Sequence, residues 1–349
     1  MGKDVLTKMN VVSTNEAKGL VKEAVTRGLT LYMEGKSGIG KSEIVRQVAE
    51  SEGKELVDIR AILYDLGDIV VKIPNNEKTK LIEIVTDVLP TKPGSIIFLD
   101  EFRHAPQEVR RMFYQLILDK RIGSSYTLPA NTTVIACSNL TEEVDTQDLE
   151  GPLFDRWDMR VQVEAEFKQW EDYVFDFPNA QIVIGYLNTF KDDWYQINPE
   201  TNIPLTTPRR WTKLMAVMDN DTVVEAMLPP GISVKFKEFK KKVEMFSSLT
   251  EYLEGKKPFP KDISDQIALV TAIANKLASD KDYQKLADKV FEMKYHGATA
   301  EVGALLTFSC LRVLKKRTGA TSLHHLMVKM KNADKLAAVL KNYQYLGKE

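Results

Sequence analysis

Two hydrophobic rhythms run along this chain. Short, nearly continuous apolar or β-prone runs stand at 29–33, 55–60, 95–99 and 132–138. Runs of that kind suit parallel strands covered on both faces. Between them the apolar positions return every three or four residues. Ala17, Leu20, Val21, Ala24 and Val25 follow a Ser13-Thr14-Asn15-Glu16 capping box and stop at Gly28. Ile44, Val45, Val48 and Ala49 repeat in the same way, and Val109, Met112, Phe113, Leu116 and Ile117 do so behind Pro106. Strands alternating with helices predict an α/β fold, a parallel sheet flanked by helices. The stretch 61–80, with Gly67-Asp68, Pro74 and Asn75-Asn76, reads as a long loop or insertion. Residues 79–88 read as a helix ended by Pro90, and 121–130, around Gly123-Ser124-Ser125, as a hairpin.

After residue 160 the pattern turns helical. Phe167, Trp170, Tyr173 and Val174 make one apolar face, and 182–190 another buried segment. Pro199, Pro204 and Pro208 punctuate a linker, and Pro229-Pro230-Gly231 is a clear break. Five lysines at 235–242 surround Phe236 and Phe239, the pattern of a solvated amphipathic helix. From Pro260 the chain reads all-α, with Ile263, Ile267, Val270, Ile273 and Leu277, then Val302, Leu305, Leu306, Leu311 and Val313, at helical spacing. His324-His325 reads as structural. The expected organisation is an α/β core over 1–165, a helical lid over 166–250 and an all-α module over 251–349.

Composition narrows the classes. The 349 residues are 44% hydrophobic and 28% charged, enough for more than one packed domain. Lys and Arg total 48 against 49 Asp and Glu, so no global field draws the protein to nucleic acid or to an anionic membrane. No apolar run approaches a membrane span, and the N-terminus is not signal-like. Two distant cysteines, Cys137 and Cys310, suit free thiols in a reducing compartment, so a cytoplasmic location is expected. Four histidines with neither a C-x-x-C nor an H-E-x-x-H motif argue against a zinc site.

The chemistry concentrates at strand ends. Residues 35–42 read Gly35-Lys36-Ser37-Gly38-Ile39-Gly40-Lys41-Ser42, the G-x-x-x-x-G-K-[ST] spacing of a phosphate-wrapping loop, placed between a strand and a helix. Glycines let the backbone N–H groups turn inward to meet phosphate oxygens. Lys41 adds a point charge, and Ser42 is positioned to ligate Mg²⁺. The run 95–99 ends in Asp100-Glu101, two carboxylates where open α/β sheets place their ligands. Asp100 would hold Mg²⁺ through its water shell and Glu101 would polarise water as a general base. Asn139, at the end of the 132–138 strand, would hydrogen-bond the γ-phosphate or the water.

In this order the motifs resemble those of an AAA+ ATPase of the MoxR type, over about 12–210. Residues 35–42 resemble Walker A, 96–101 Walker B, and Asn139 falls at sensor 1. Leu153-Phe154-Asp155-Arg156-Trp157 resembles the segment bearing the arginine finger, which makes Arg156 the matching residue. Thr207-Pro208-Arg209-Arg210-Trp211 resembles sensor 2, with Arg209 the better match and Arg210 the reserve. Where the family often has Asn-Arg, this chain has Arg103-His104.

The resemblance implies ATP and Mg²⁺ as cofactors and a homo-oligomeric ring, usually a hexamer, in which Arg156 reaches a neighbour's site. It further implies remodelling of a protein client, commonly one bearing a von Willebrand factor A domain. Val71, Lys72, Ile73 and Tyr126, in the 61–80 insertion and the 121–130 hairpin, are candidate client contacts or packed edge-strand residues. A nucleic-acid motor or loader built on the same ATPase, or a nucleotide-gated scaffold, are the alternatives. The balanced charge speaks against the first and the intact Lys41, Asp100 and Glu101 against the second.

Overall fold

The computed structural model describes residues 9–140, 155–246, 249–292, 300–320 and 326. The chain divides into two compact units, Met1–Trp170 with Ile197–Arg209, and Glu171–Gln196 with Arg210–Glu349. In chain order the first unit contains β1 (Asn10–Ser13), α1 (Thr14–Arg27), β2 (Leu31–Gly35), α2 (Lys41–Ser51) and β3 (Leu56–Arg60). There follow α3 (Leu66–Ile69), β4 (Val70–Pro74), β5 (Leu81–Val85), β6 (Ile96–Asp100) and α4 (Gln107–Asp119). The unit continues with β7 (Arg121–Ile122), β8 (Tyr126–Thr127), β9 (Thr133–Ser138) and β10 (Met159–Glu164). Six strands form one sheet in the order β1-β10-β2-β9-β6-β3, every neighbour parallel.

The expected α/β architecture is therefore present. Helix α1 starts at the expected capping box: Ser13 N–H donates to Glu16 Oε2 at 2.8 Å, and the Ser13 hydroxyl accepts from Glu16 N–H at 3.3 Å. The central strands β6 and β9 are buried almost throughout, as continuous apolar runs require. Beneath their ends, Trp157 packs on Tyr32, Phe102 and Tyr114 at ring-centroid distances of 5.7, 5.8 and 6.4 Å.

Two features differ from expectation. The segment 79–88 is not a helix: Leu81–Val85 pairs antiparallel with Val70–Pro74 in a hairpin. β-branched Val71, Ile73, Ile82 and Ile84 favour the extended form. The turn is held by Asn75, whose Oδ1 accepts from the N–H groups of Thr79 and Lys80 at 2.9 and 3.1 Å. The region after residue 160 opens with a strand, not a helix. β10 lies between β1 and β2, with Val161 and Val163 buried and Arg160 and Glu164 exposed. The expected hairpin at 121–130 is present as β7 and β8.

Helices α5 (Phe167–Val174) and α7 (Pro208–Leu214) lie at the unit boundaries. The second unit contains α6 (Ala180–Thr189), α8 (Asp221–Met227), α9 (Pro230–Met245) and α10 (Thr250–Leu253). It ends with α11 (Ile263–Ser279), α12 (Tyr283–Glu292) and α13 (Ala300–Thr318). Helix α11 packs against α6, α9 and α13. Phe236 and Phe239 of α9 are buried, while its lysines form ion pairs with Asp193, Glu225, Asp221 and Asp265. Asp193 is buried and serves as a polar hub. It accepts from Lys235 Nζ at 2.6 Å, Tyr186 Oη at 2.5 Å and Gln196 Nε2 at 3.0 Å. His324 and His325 lie outside the described residues.

Candidate functional site

The parallel sheet brings its chemistry to one edge. Register pairs Glu34 with Ser138 and Arg60 with Asp100, so the C-terminal ends of β2, β9, β6 and β3 are level. The phosphate-type loop leaves β2 there and ends where α2 begins at Lys41. Gly38 and Gly40 have φ of +74° and +100°, the region that favours glycine. Gly35 is closed in for another reason: a Cβ there would stand 2.5 Å from the Val163 carbonyl oxygen of β10. Lys36 is exposed, Ser37 and Gly40 half-buried, and Gly38 and Ile39 buried.

Lys41 is buried, and its Nζ donates to the carbonyls of Gly35 and Lys36 at 2.7 and 2.9 Å and to Asn139 Oδ1 at 3.1 Å. Ser42 Oγ donates to Asp100 Oδ2 at 2.9 Å. Glu101 is exposed at the strand end with φ of +55°, and its N–H donates to Asp100 Oδ1 at 3.1 Å. A carboxylate residue held in the left-handed region carries backbone strain, which gathers at functional positions. Behind the loop, Cys137 is buried and desolvation pushes its thiol pKa upward, so it remains a neutral thiol.

Arg209 approaches the same loop through its backbone. Its N–H donates to the Gly38 carbonyl at 3.0 Å, and a Cβ on Gly38 would meet the Thr207 side chain at 2.8 Å. These contacts are why 197–209, expected within the lid, folds with the first unit. The Arg209 side chain is exposed and that of Arg210 half-buried.

Arg156 lies elsewhere. It precedes β10, which starts beside Leu31 and runs to Gly35, so it stands at the opposite edge of the sheet from the loop. The length of β2, about 13 Å, separates those edges. Its neighbour Trp157 is fixed in the aromatic cluster. Leu153 and Phe154 lie outside the described residues.

Of the insertion candidates, Val71, Lys72 and Ile73 are exposed. Tyr126 instead turns inward: its hydroxyl donates to the Pro90 carbonyl at 2.8 Å, and burial pushes its pKa up to about 12.

The donor set fits a Mg²⁺-nucleotide. A helix N-terminus and a buried lysine face where phosphates would lie, and a hydroxyl and a carboxylate supply hard oxygens. Among the described residues no cluster of three or more His, Cys, Asp or Glu could hold a metal alone. A cation at Ser42 and Asp100 would thus complete its shell with phosphate and water, the habit of Mg²⁺.

Residues 31–165 match the family described as ATPase family associated with various cellular activities (AAA). The chain carries an AAA ATPase domain. The match runs from the start of β2 to just past β10, so the AAA domain contains the loop, Asp100, Glu101, Asn139 and Arg156. No curated protein sequence matches the chain. Among solved structures it is similar to the Thermotoga maritima RuvB Holliday junction branch migration motor, at 16% identity and TM-score 0.40, covering 69% of this chain and 78% of that one. It is also similar to a putative ATPase from Cytophaga hutchinsonii, at 12% identity and TM-score 0.34, covering 94% and 88%. NtrX from Brucella abortus in complex with ADP aligns at 13% identity and TM-score 0.39, covering 96% and 68%. No helix among the described residues is long and apolar enough to cross a membrane.

Two charged residues of the AAA domain were not singled out by motif reasoning for a role at the site. Glu34, in the fully buried β2, and Arg103, two residues after Glu101, form an ion pair with Nη1 to Oε1 at 2.9 Å and Nη2 to Oε2 at 3.4 Å. A carboxylate inside an otherwise apolar strand is the signal that could have found it.

Proposed function

We propose that this protein is a MoxR-type AAA+ ATPase that couples ATP hydrolysis to the remodelling of a protein client. The observation that carries the reading is the convergence of Lys41, Ser42, Asp100 and Asn139 at one sheet edge, with Arg156 at the other. Lys41 and the loop amides bind the triphosphate, and Ser42 and Asp100 would hold Mg²⁺, which when bound would supply charge neutralisation at the phosphates. Glu101 takes the proton of the attacking water, and Asn139 orients that water.

Arg156, which precedes β10 at the strand end away from the loop, acts on a neighbour's nucleotide in a ring, a hexamer. An arginine supplied that way is worth ~10³–10⁵ in rate, so turnover depends on assembly. Arg209, tied by its backbone to Gly38, senses the γ-phosphate and passes nucleotide state to the helices of the lid that follow. The apolar face of the β4–β5 insertion, with Val71, Ile73, Ile82 and Ile84 exposed, supports a protein client, and one with a von Willebrand factor A domain is the first to try.

The test is ATP turnover by wild type, Glu101→Gln and Arg156→Ala across a protein concentration series, with mass measured alongside. Turnover that rises with assembly, and is lost in both variants while mixed rings of the two recover part of it, supports the reading. Turnover that persists in Arg156→Ala at every concentration overturns the role in trans. Stimulation by DNA instead of protein would redirect the client to nucleic acid.

A further inference from the structure

Three motif-bearing segments meet at a buried charge pair that the phosphate chemistry does not itself require. Glu34 immediately precedes Gly35, where the loop begins. Arg103 lies in the turn that follows Asp100 and Glu101. Both side chains are less than one-tenth exposed, and the guanidinium meets the carboxylate in a two-pronged arrangement. Arg103 N–H also donates to Ser138 Oγ at 3.0 Å, and Ser138 is the residue before Asn139. The ion pair and that hydrogen bond therefore tie the ends of β2, β6 and β9 together.

Glu101 stands inside this arrangement. Its backbone is in the left-handed region, and its carbonyl accepts from His104 N–H at 2.9 Å, closing a one-turn helix at Phe102–His104. Arg103 is the middle residue of that turn. Anchoring Arg103 to Glu34 and Ser138 thus fixes where Glu101 leaves the strand relative to Gly35. A planar guanidinium gripping a carboxylate by two bonds restricts rotation as well as distance, which one lysine contact would not.

Stability alone is a poor account of the pair. Buried ion pairs often match or fall below apolar residues of equal volume, because desolvation offsets the attraction. Phe102, Phe113, Tyr114 and Trp157 already fill the core beside the turn. What the charges add is direction.

We propose that Glu34 and Arg103 are positioning residues for ATP hydrolysis, setting the water-activating Glu101 carboxylate against the phosphate loop. Neither touches nucleotide; each acts through the turn that carries Glu101. The inference rests on hydrolysis at the Lys41 site, and the experiment separates the two.

The decisive protein is the full chain with Glu34→Gln and Arg103→Met together, which leaves no unpaired buried charge and keeps the volume close. Its turnover, its Kd for a fluorescent ATP analogue and its melting temperature are compared with wild type, Arg103→Lys and Lys41→Ala. A fall of about 10²-fold in kcat, with Kd within about threefold and a cooperative melt, is expected for a displaced catalytic group. Arg103→Lys, keeping charge without the fork, should recover less than a tenth of wild-type kcat. Wild-type kcat in the double variant, or a loss of kcat matched by an equal loss of binding and of melting temperature, overturns the positioning role. A wild type that turns over ATP no faster than Lys41→Ala overturns the ATPase reading, and this inference with it.

Discussion

Lys41 and Asn139 stand 98 residues apart in the chain and meet at 3.1 Å, the ammonium donating to the amide oxygen. The bond joins the phosphate loop to the end of β9. An oriented water displaced by about 1 Å costs on the order of 10²-fold in rate. Asn139→Ala should lower kcat by that factor while ATP still binds. Steady-state turnover beside analogue binding checks it, and an unchanged kcat would remove Asn139 from the site.

Gly35 is governed by the neighbouring strand. A methyl at this position would lie 2.5 Å from the Val163 carbonyl of β10, so the loop would have to shift away from the sheet. Gly35→Ala should lose nucleotide binding more than tenfold and melt several degrees lower. Binding and melting curves on the same preparation give the answer; retention of both would mean β10 yields.

Asp193 makes the case for stability in the second unit. Its side chain is 4% exposed and is gripped by Lys235, Tyr186 and Gln196. Asp193→Ala leaves the buried Tyr186 hydroxyl without its acceptor, while Lys235, 40% exposed, can reach solvent, so the cost is that of an unsatisfied buried polar group, about 1–3 kcal/mol. Urea unfolding followed by the fluorescence of Trp211, whose Nε1 donates to the Asp193 carbonyl at 3.2 Å, should report a loss of that size.

Glu83 links the two hairpins. Its carboxylate accepts from Ser124 N–H at 3.0 Å and pairs with Lys72 at 3.3 Å, and these contacts, the Ser124 bond foremost, hold its pKa below the ordinary carboxylate value. Because Lys72 is largely exposed and the pair is screened by solvent, Glu83→Ala should leave global stability close to that of wild type. Hydrogen exchange at Ser124 should nevertheless speed up clearly, and protection equal to wild type would show that the hairpins are joined by other contacts.

His104 gives a pH dependence. Burial lowers its pKa below the ordinary 6.5, against the opposing pull of Glu101, and its Nδ1 is buried with no hydrogen-bond partner. The folded value is the lower one, so unfolding takes up a proton. Stability from this group is complete above pH 6.5 and declines as pH falls from there through the lowered folded value. The urea midpoint of wild type should fall on acidification more steeply than that of His104→Gln. Parallel curves for the two proteins would refute the assignment.

Much of the core was legible because its signals are local. A phosphate loop needs its glycines, lysine and hydroxyl within eight residues, so 35–42 could be read directly. Asp100, Glu101 and Asn139 follow apolar runs whose burial in parallel strands puts their ends at one edge. The insertion was less readable. Residues 81–85 are apolar at four of five positions, a pattern that suits helix and strand alike, and only pairing with Val70–Pro74 makes them extended.

The sequence by itself determined the strand-loop-helix unit, its chemistry and the edge at which the carboxylates emerge, since these depend on neighbours within a few turns of chain. Only the tertiary structure decided that β10 enters the sheet between β1 and β2, which puts Arg156 at the far edge and closes Val163 over Gly35. It alone joined Glu34 to Arg103 across 69 residues and brought the Arg209 amide to Gly38. Such contacts arise from burying whole faces of elements together, and no local spacing encodes which distant partner a buried charge will find.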